Sequence, residues 1–250
     1  MTKPAPTSSA CRIGTAGWTI PAAVRDRFPA EGSSLERYAG LLGAAEINSS
    51  FHRPHRTSTY ARWAASVPAD FGFSVKLPKT ITHQRRLVDV DDLLGAFADE
   101  CAGLGEKLRV ILVQLPPSLA FDAGFDRFFA ALAARIPAAI ACEPRHASWF
   151  EPALDDWLAE RRIARVAADP ARHPLAERPG GWRELVYFRL HGSPVMYRSA
   201  YDEAALGHIA AELAVCPAPE RWCMFDNTAS SAALGDALAL AGLLAASDQG

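Results

Sequence analysis

Apolar and polar positions along this chain follow two alternating periods. Short apolar runs occur at Arg12–Thr15, Ala44–Asn48, Phe71–Lys76, Val110–Gln114, Ala139–Glu143, Ala164–Ala168, Val186–His191 and Trp222–Phe225. Their length, their flanking breakers and a spacing of about 20 to 40 residues predict eight β-strands. Helical patterns lie between them. Ser33-Ser34-Leu35-Glu36 reads as a capping box that opens a helix through Leu42. Tyr60, Trp63 and Val67 share a face of a helix over Thr57–Ser66. Leu93, Leu94, Phe97, Cys101 and Leu104 do so over Asp92–Leu104, with Gly105 as its C-cap, and Phe125, Phe128, Phe129, Leu132 and Ile136 over Asp122–Ile136. Pro152 suits the first turn of the next helix, Asp202 caps Glu203–Val215, and Ser230 or Ser231 caps a last helix ending at Leu244.

One interval breaks the pattern. Asp169–Glu184 holds Pro170, Pro174, Pro179, Gly180 and Gly181, which predicts a loop that truncates or replaces the sixth helix. Elsewhere strand and helix alternate, which means a parallel sheet, either closed as a barrel or open and doubly wound. The polar residues favour the barrel. Strand ends coincide with Glu46 and Asn48, Lys76, Gln114, Glu143 and Arg145, Asp169, Arg189 and His191, and Asp226 with Asn227. In α/β barrels the C-terminal strand ends carry the active site. The expected fold is therefore α/β, a single (β/α)8 TIM-type barrel over residues 11–245, with residues 1–10 and 246–250 as frayed termini.

Composition narrows the field. Half of the 250 residues are apolar, enough for a full core. The net charge of −2 does not support a broad nucleic-acid surface and leaves room only for a local basic patch. Such a patch exists: from His52 to Arg86 seven Lys/Arg face one acid, Asp70, a local net of +6. Five cysteines without a C-x-x-C pair argue for a reducing compartment, and the cytoplasm is the expected location. Met1–Ala10 lacks an apolar signal core, and no apolar run is long enough to predict a membrane span.

The ordered motifs carry a resemblance. Gly14-Thr15-Ala16-Gly17-Trp18, Glu46-Ile47-Asn48-Ser49-Ser50-Phe51, Phe73-Ser74-Val75-Lys76 and Ile81-Thr82-His83 resemble the YecE-like family, a domain of unknown function. So do Gln114-Leu115-Pro116-Pro117-Ser118, Glu143-Pro144-Arg145-His146-Ala147-Ser148-Trp149, Arg189-Leu190-His191-Gly192 and Phe225-Asp226-Asn227. The resemblance implies a TIM-type barrel and no settled activity. The chain departs from the family pattern at Thr19-Ile20-Pro21 and at Phe51-His52-Arg53-Pro54-His55.

Chemistry can be assigned by residue type. Glu143 and Glu46 are the candidate acid–base pair, because two carboxylates in one cavity can separate into acid and base. The competing reading is that Glu143 pairs with Arg145 or Arg189 and closes the barrel top. His191 is a candidate base or substrate contact. Lys76, Arg145 and Arg189 suit a small anion, phosphorylated or carboxylated, with His83 and His146 nearby. Trp18 and Trp149 are candidate stacking surfaces, and Asn48, Gln114 and Asn227 candidate polar contacts. No cofactor is expected, since no G-x-G-x-x-G follows the first strand. The alternatives are a divalent metal on Glu143, Asp169 and His191 in a phosphoesterase-like barrel, and a barrel that binds without catalysis.

Overall fold

The structure is a computed structural model that describes residues 11–247. The terminal segment 1–10, expected to fray, lies outside the described residues, as do residues 248–250. Ala246 and Ser247, which the sequence places in the terminal segment, close the last helix.

The strands are β1 (Cys11–Thr15), β2 (Ala44–Ile47), β3 (Gly72–Lys76), β4 (Leu108–Gln114), β5 (Ala139–Glu143), β6 (Ile163–Arg165), β7 (Ala167–Asp169), β8 (Gly180–Gly181), β9 (Leu185–Leu190) and β10 (Glu220–Phe225). The helices are α1 (Ser34–Ala39), α2 (Thr57–Ala65), α3 (Asp91–Cys101), α4 (Phe125–Arg135), α5 (Pro152–Glu160), α6 (Glu203–Val215) and α7 (Ala233–Ser247). Local chemistry explains several boundaries. Ser33 and Glu36 complete a reciprocal capping box on α1, Pro152 sits in the first turn of α5, and Asp202 accepts from the Ala205 amide at the start of α6. Gly105 does not cap α3, which passes at Cys101 into a tighter turn over Ala102–Lys107.

Strands form two sheets, β1-β10-β9-β7 and β2-β3-β4-β5-β6-β8, parallel throughout except where β8 runs antiparallel to β6. The sheets meet at a bridge between Ala16 and Glu46 and at Val166, the residue between β6 and β7. The sixth predicted strand is thus two strands. β6 pairs with β5, and β7 crosses to pair with β9. The reason lies in the Pro/Gly-rich interval, which forms a short turn over Pro174–Glu177 and then lays Gly180 and Gly181 along the free edge of β6. That edge is closed to β9, which pairs one step later. Among the described residues no α-helix lies between β7 and β9.

Side chains alternate between two buried layers, as expected of strands covered on both faces. Ala44, Val110, Leu112, Ala141, Tyr187, Trp222 and Met224 form one cluster. Their neighbours Ala45, Ile111, Val113, Cys142, Val186, Phe188 and Cys223 belong to a second, larger cluster that includes residues of the helices. Two residues beyond the first set, toward the C-terminal strand ends, come Glu46, Gln114, Glu143, Arg189 and Asp226, all buried. The alternation that packs the inner layer therefore delivers the polar groups to one place.

Gly181 shows how tightly the β6 edge is closed. It adopts φ +64°, and a Cβ there would lie 2.4 Å from the Ile163 carbonyl oxygen. Gly181→Ala should cost about 2 kcal/mol or more, combining strain with overpacking. Gly95→Ala on α3, where a Cβ meets nothing within 4 Å, should be neutral or stabilising. Urea denaturation of both variants checks this, and equal stability of the two would contradict the closed edge.

Candidate functional site

The centre of the polar cluster is Arg189 on β9. Its guanidinium is fully buried and faces three carboxylates. Nε donates to Glu46 Oε2 at 3.0 Å, Nη2 to Glu46 Oε1 at 2.8 Å, and Nη1 to Glu143 Oε2 at 3.2 Å. Nη2 also lies 2.9 Å from Asp226 Oδ2. Beneath it the Tyr187 hydroxyl lies 2.9 Å from Glu46 Oε2 and 3.0 Å from Ser74 Oγ. Both Glu46 oxygens are occupied and the residue is sealed from solvent, so its carboxylate organises the cluster and cannot meet a ligand directly. This departs from the expectation of Glu46 as a proton-transfer group.

Glu143 is shared more widely. Oε1 accepts from Arg145 Nε at 2.8 Å and Nη2 at 2.6 Å, lies 3.2 Å from His191 Nε2 and is 3.4 Å from Gln114 Nε2. Burial would raise this carboxyl, but Arg145, His191 and Arg189 outweigh it and hold it well below the usual carboxylate range. Asp226 follows the same pattern: Arg189 and His191 overcome burial and lower it. His191 bridges the two acids, with Nδ1 3.1 Å from Asp226 Oδ2.

Lys76 is different. It ends β3 at 6% exposure, with its Nζ 4.2 Å from the centroid of the Phe51 ring. Among the described residues its ammonium forms no ion pair or hydrogen bond, although Glu46, Glu143 and Asp226 all act on it electrostatically. Burial and the neighbouring Arg189 lower its ammonium to about 8, and the three acids only partly counter them. His83 packs edge-on against the same Phe51 ring at 5.0 Å, and its Nδ1 lies 2.8 Å from Thr82 Oγ1. Burial, then Lys76 and Arg145, lower the His83 imidazole, which places the three side chains within one field.

Other expected residues lie elsewhere. Trp149 is fully buried, with its indole nitrogen donating to the Leu119 carbonyl at 3.0 Å and its ring against Phe121 and Phe125. It is a core residue, not a stacking surface. Trp18 is half-buried against Trp63 of α2 and Phe73. His146 caps the short turn Ala147–Phe150 through Nδ1. Asn227 donates to the Ser199 carbonyl and to Asp236, tying the loop after β9 to α7. Asn48 Oδ1 and Asn227 Oδ1 are buried acceptors without a partner. Asp169 accepts from the Tyr201 hydroxyl at 2.6 Å, in the wall between β7 and α6, and does not join Glu143 and His191. The metal set Glu143, Asp169 and His191 is therefore not assembled, and among the described residues no three His, Cys, Asp or Glu are grouped to hold a metal ion.

Asp226 was read as a polar strand end, two residues beyond the inner-layer Met224, but without a role in the site, and two contributors, Phe51 and Tyr197, escaped the sequence reading. Phe51 follows β2 in a short turn, and no periodicity marks it. Tyr197, in the loop after β9, packs edge-on over His191 and interacts with Arg145. That loop covers the cluster, and the space left beside Glu143, Arg145 and His191 is about 10 Å³, enough for one water.

An α/β protein with parallel strands and a charged cluster at their C-terminal ends is the class that fold and site define. The family described as "Protein of unknown function DUF72" matches residues 12–250, and the chain belongs to it. It is 29% identical over 174 residues to the UPF0759 protein YecE of Escherichia coli (strain K12), covering 67% of this chain and 61% of that protein. It is 25% identical over 178 residues to the UPF0759 protein YunF of Bacillus subtilis (strain 168), covering 67% and 60%. The chain thus spans about three fifths of the length of these curated relatives. A DUF72 family protein from Thermotoga maritima MSB8 superposes with a TM-score of 0.76 at 21% identity, covering 94% of this chain and 99% of that one. A DUF72 family protein from Enterococcus faecalis V583 gives 0.76 at 20%, covering 94% and 97%. These likenesses show the fold. No helix among the described residues is long and apolar enough to cross a membrane.

The cluster makes a prediction about pH. Glu143 and Asp226 have folded values below their unfolded ones, so their stabilisation is complete above about pH 4.5 and is lost as pH falls through the lower folded values. Arg189→Met removes the shared cation and should cost about 3–5 kcal/mol at pH 7. Its buried acids then favour protonation, so it should gain stability relative to the wild type between pH 7 and pH 5, where the lowered imidazoles of His55 and His83 cost both proteins stability as pH falls. Urea titrations at both pH values check this, and parallel profiles would contradict the hub.

Proposed function

We propose that this protein is a (β/α)8 barrel enzyme that binds a small anionic compound, phosphorylated or carboxylated, at the C-terminal ends of its strands. The observation that carries the reading is Lys76, an ammonium held beside three carboxylates and paired with none. Arg145, Arg189 and His191 already occupy those carboxylates, so among the described residues Lys76 is the cation of the cluster left for an incoming anion. Arg145 supports the same reading, since its side chain keeps 13% exposure, the most in the cluster's ion pairs. The barrel reading is supported by the eight β-positions, by the Ala16–Glu46 bridge and by the passage through Val166, which join the two sheets at both edges. Glu143 and His191, 3.2 Å apart, are the pair in reach of a proton transfer, and Asn48 Oδ1 is a free acceptor for a ligand donor. Entry of anything larger than water requires the loop carrying Tyr197 to move.

A second reading, a barrel that binds an anion without turning it over, is favoured by the tight occupation of Glu46, Glu143 and Asp226. Turnover of any bound anion that is lost in Glu143→Gln would decide for the enzyme.

Thermal denaturation with a panel of phosphorylated and carboxylated metabolites tests the anion site. A ligand at a hundred times its Kd should add about 2.7 kcal/mol to wild-type stability. That gain should disappear in Lys76→Met. An unchanged gain in Lys76→Met, or no anion that outperforms its neutral analogue, would contradict the reading.

A further inference from the structure

We propose that Lys76 is a covalent catalyst whose amine condenses with the carbonyl carbon of an anionic aldehyde or ketone, of the 2-oxo acid or open-chain sugar phosphate class, to form an imine. The inference deepens the anion-site reading and rests on it. A lysine with only a structural role inside a charged cluster would be expected to pair with an acid. Here Glu46 is held by Arg189 and Tyr187, Glu143 by Arg145, Arg189 and His191, and Asp226 by Arg189 and His191. Among the described residues Lys76 Nζ is left with the face of Phe51. A desolvated amine beside other cations is the environment that makes a lysine nucleophilic, because the neutral form is no longer rare. The neighbours agree: burial and Arg189 bring the Lys76 ammonium to about 8.

The step balances without a further reactant. The neutral amine nitrogen adds to the carbonyl carbon as the C=O π pair moves to oxygen. The nitrogen gives up a proton and the oxygen takes one, which forms a carbinolamine. The oxygen then takes one more proton and leaves as water while the nitrogen lone pair completes the C=N bond. One amine, one carbonyl and one proton become one iminium and one water. The iminium charge would form where Glu46, Glu143 and Asp226 already exert a negative field on Nζ. Arg145, which keeps 13% exposure, suits the carboxylate or phosphate of the same substrate.

The chain provides its own controls, with four lysines in all: Lys3, Lys76, Lys79 and Lys107. Lys107 Nζ donates to the Ala64 and Val67 carbonyls, whereas Lys79 is half-exposed on the surface. The experiment is incubation of the full chain with pyruvate or glyoxylate at pH 7, reduction with cyanoborohydride, and peptide mass mapping. Lys76 should be modified at least about tenfold faster than Lys79, with competition by inorganic phosphate. Lys76→Arg keeps a charge and removes the nucleophile, so it should lose the adduct. Labelling of Lys79 at the rate of Lys76, or no adduct at all, overturns the inference, and a thermal gain from phosphate would then leave the anion site standing. Trapping at Lys76 that uncharged acetaldehyde matches and phosphate does not slow would keep the nucleophile and overturn the anionic substrate.

Discussion

A guanidinium with no exposed surface lies among three carboxylates, and much of the inner end of this protein is arranged to make that tolerable. Arg189 could not be buried alone, since a lone buried charge costs several kcal/mol. Glu46, Glu143 and Asp226 arrive from β2, β5 and the end of β10, on opposite sides of the two-sheet arrangement. The Tyr187 hydroxyl, itself hydrogen-bonded to Ser74, satisfies a further Glu46 lone pair from the layer below. The hub therefore joins both sheets through side chains where the backbone joins them at a single bridge and at Val166.

Such a cluster is a poor way to gain stability. Replacing a buried ion network with well-packed apolar groups is often neutral or stabilising. Its position at the C-terminal strand ends, the lowered Glu143 and Asp226 and a Lys76 ammonium without an ion pair among the described residues are what the proposed anion site rests on. The pairing also has a consequence for chemistry. By occupying the acids, Arg189 leaves Lys76 desolvated and without a counter-ion, which lowers its affinity for a proton.

The inner-layer members of the cluster were legible in the sequence because strand alternation carries them. Glu46, Gln114, Glu143 and Arg189 each fall two residues beyond an apolar inward position, and Lys76 two beyond the inward Ser74, so the parity that packs the core also predicts the mouth. Legibility stopped where the strand stopped. Trp149 stands six residues beyond Glu143, within the turn capped by His146, and that turn carries it back into the core. Asp169 reads as a strand end, but its strand crosses to the other sheet and turns it toward Tyr201. That crossing was hidden because Ala164–Ala168 reads as one apolar run. Only the antiparallel placement of Gly180 and Gly181, a long-range contact, divides it. Phe51 and Tyr197 come from loops, where no period applies.

The central claim is that the Arg189 hub leaves Lys76 buried and unpaired, and the pKa of that one amine tests it most directly. Selective labelling of lysine and an NMR titration of the Lys76 side chain in the intact protein would measure it. The account predicts a midpoint of about 8, well below the ordinary 10.5. A midpoint at or above 10.5 would mean that Lys76 is solvated or holds a carboxylate, and the assignment of the site would fail with it.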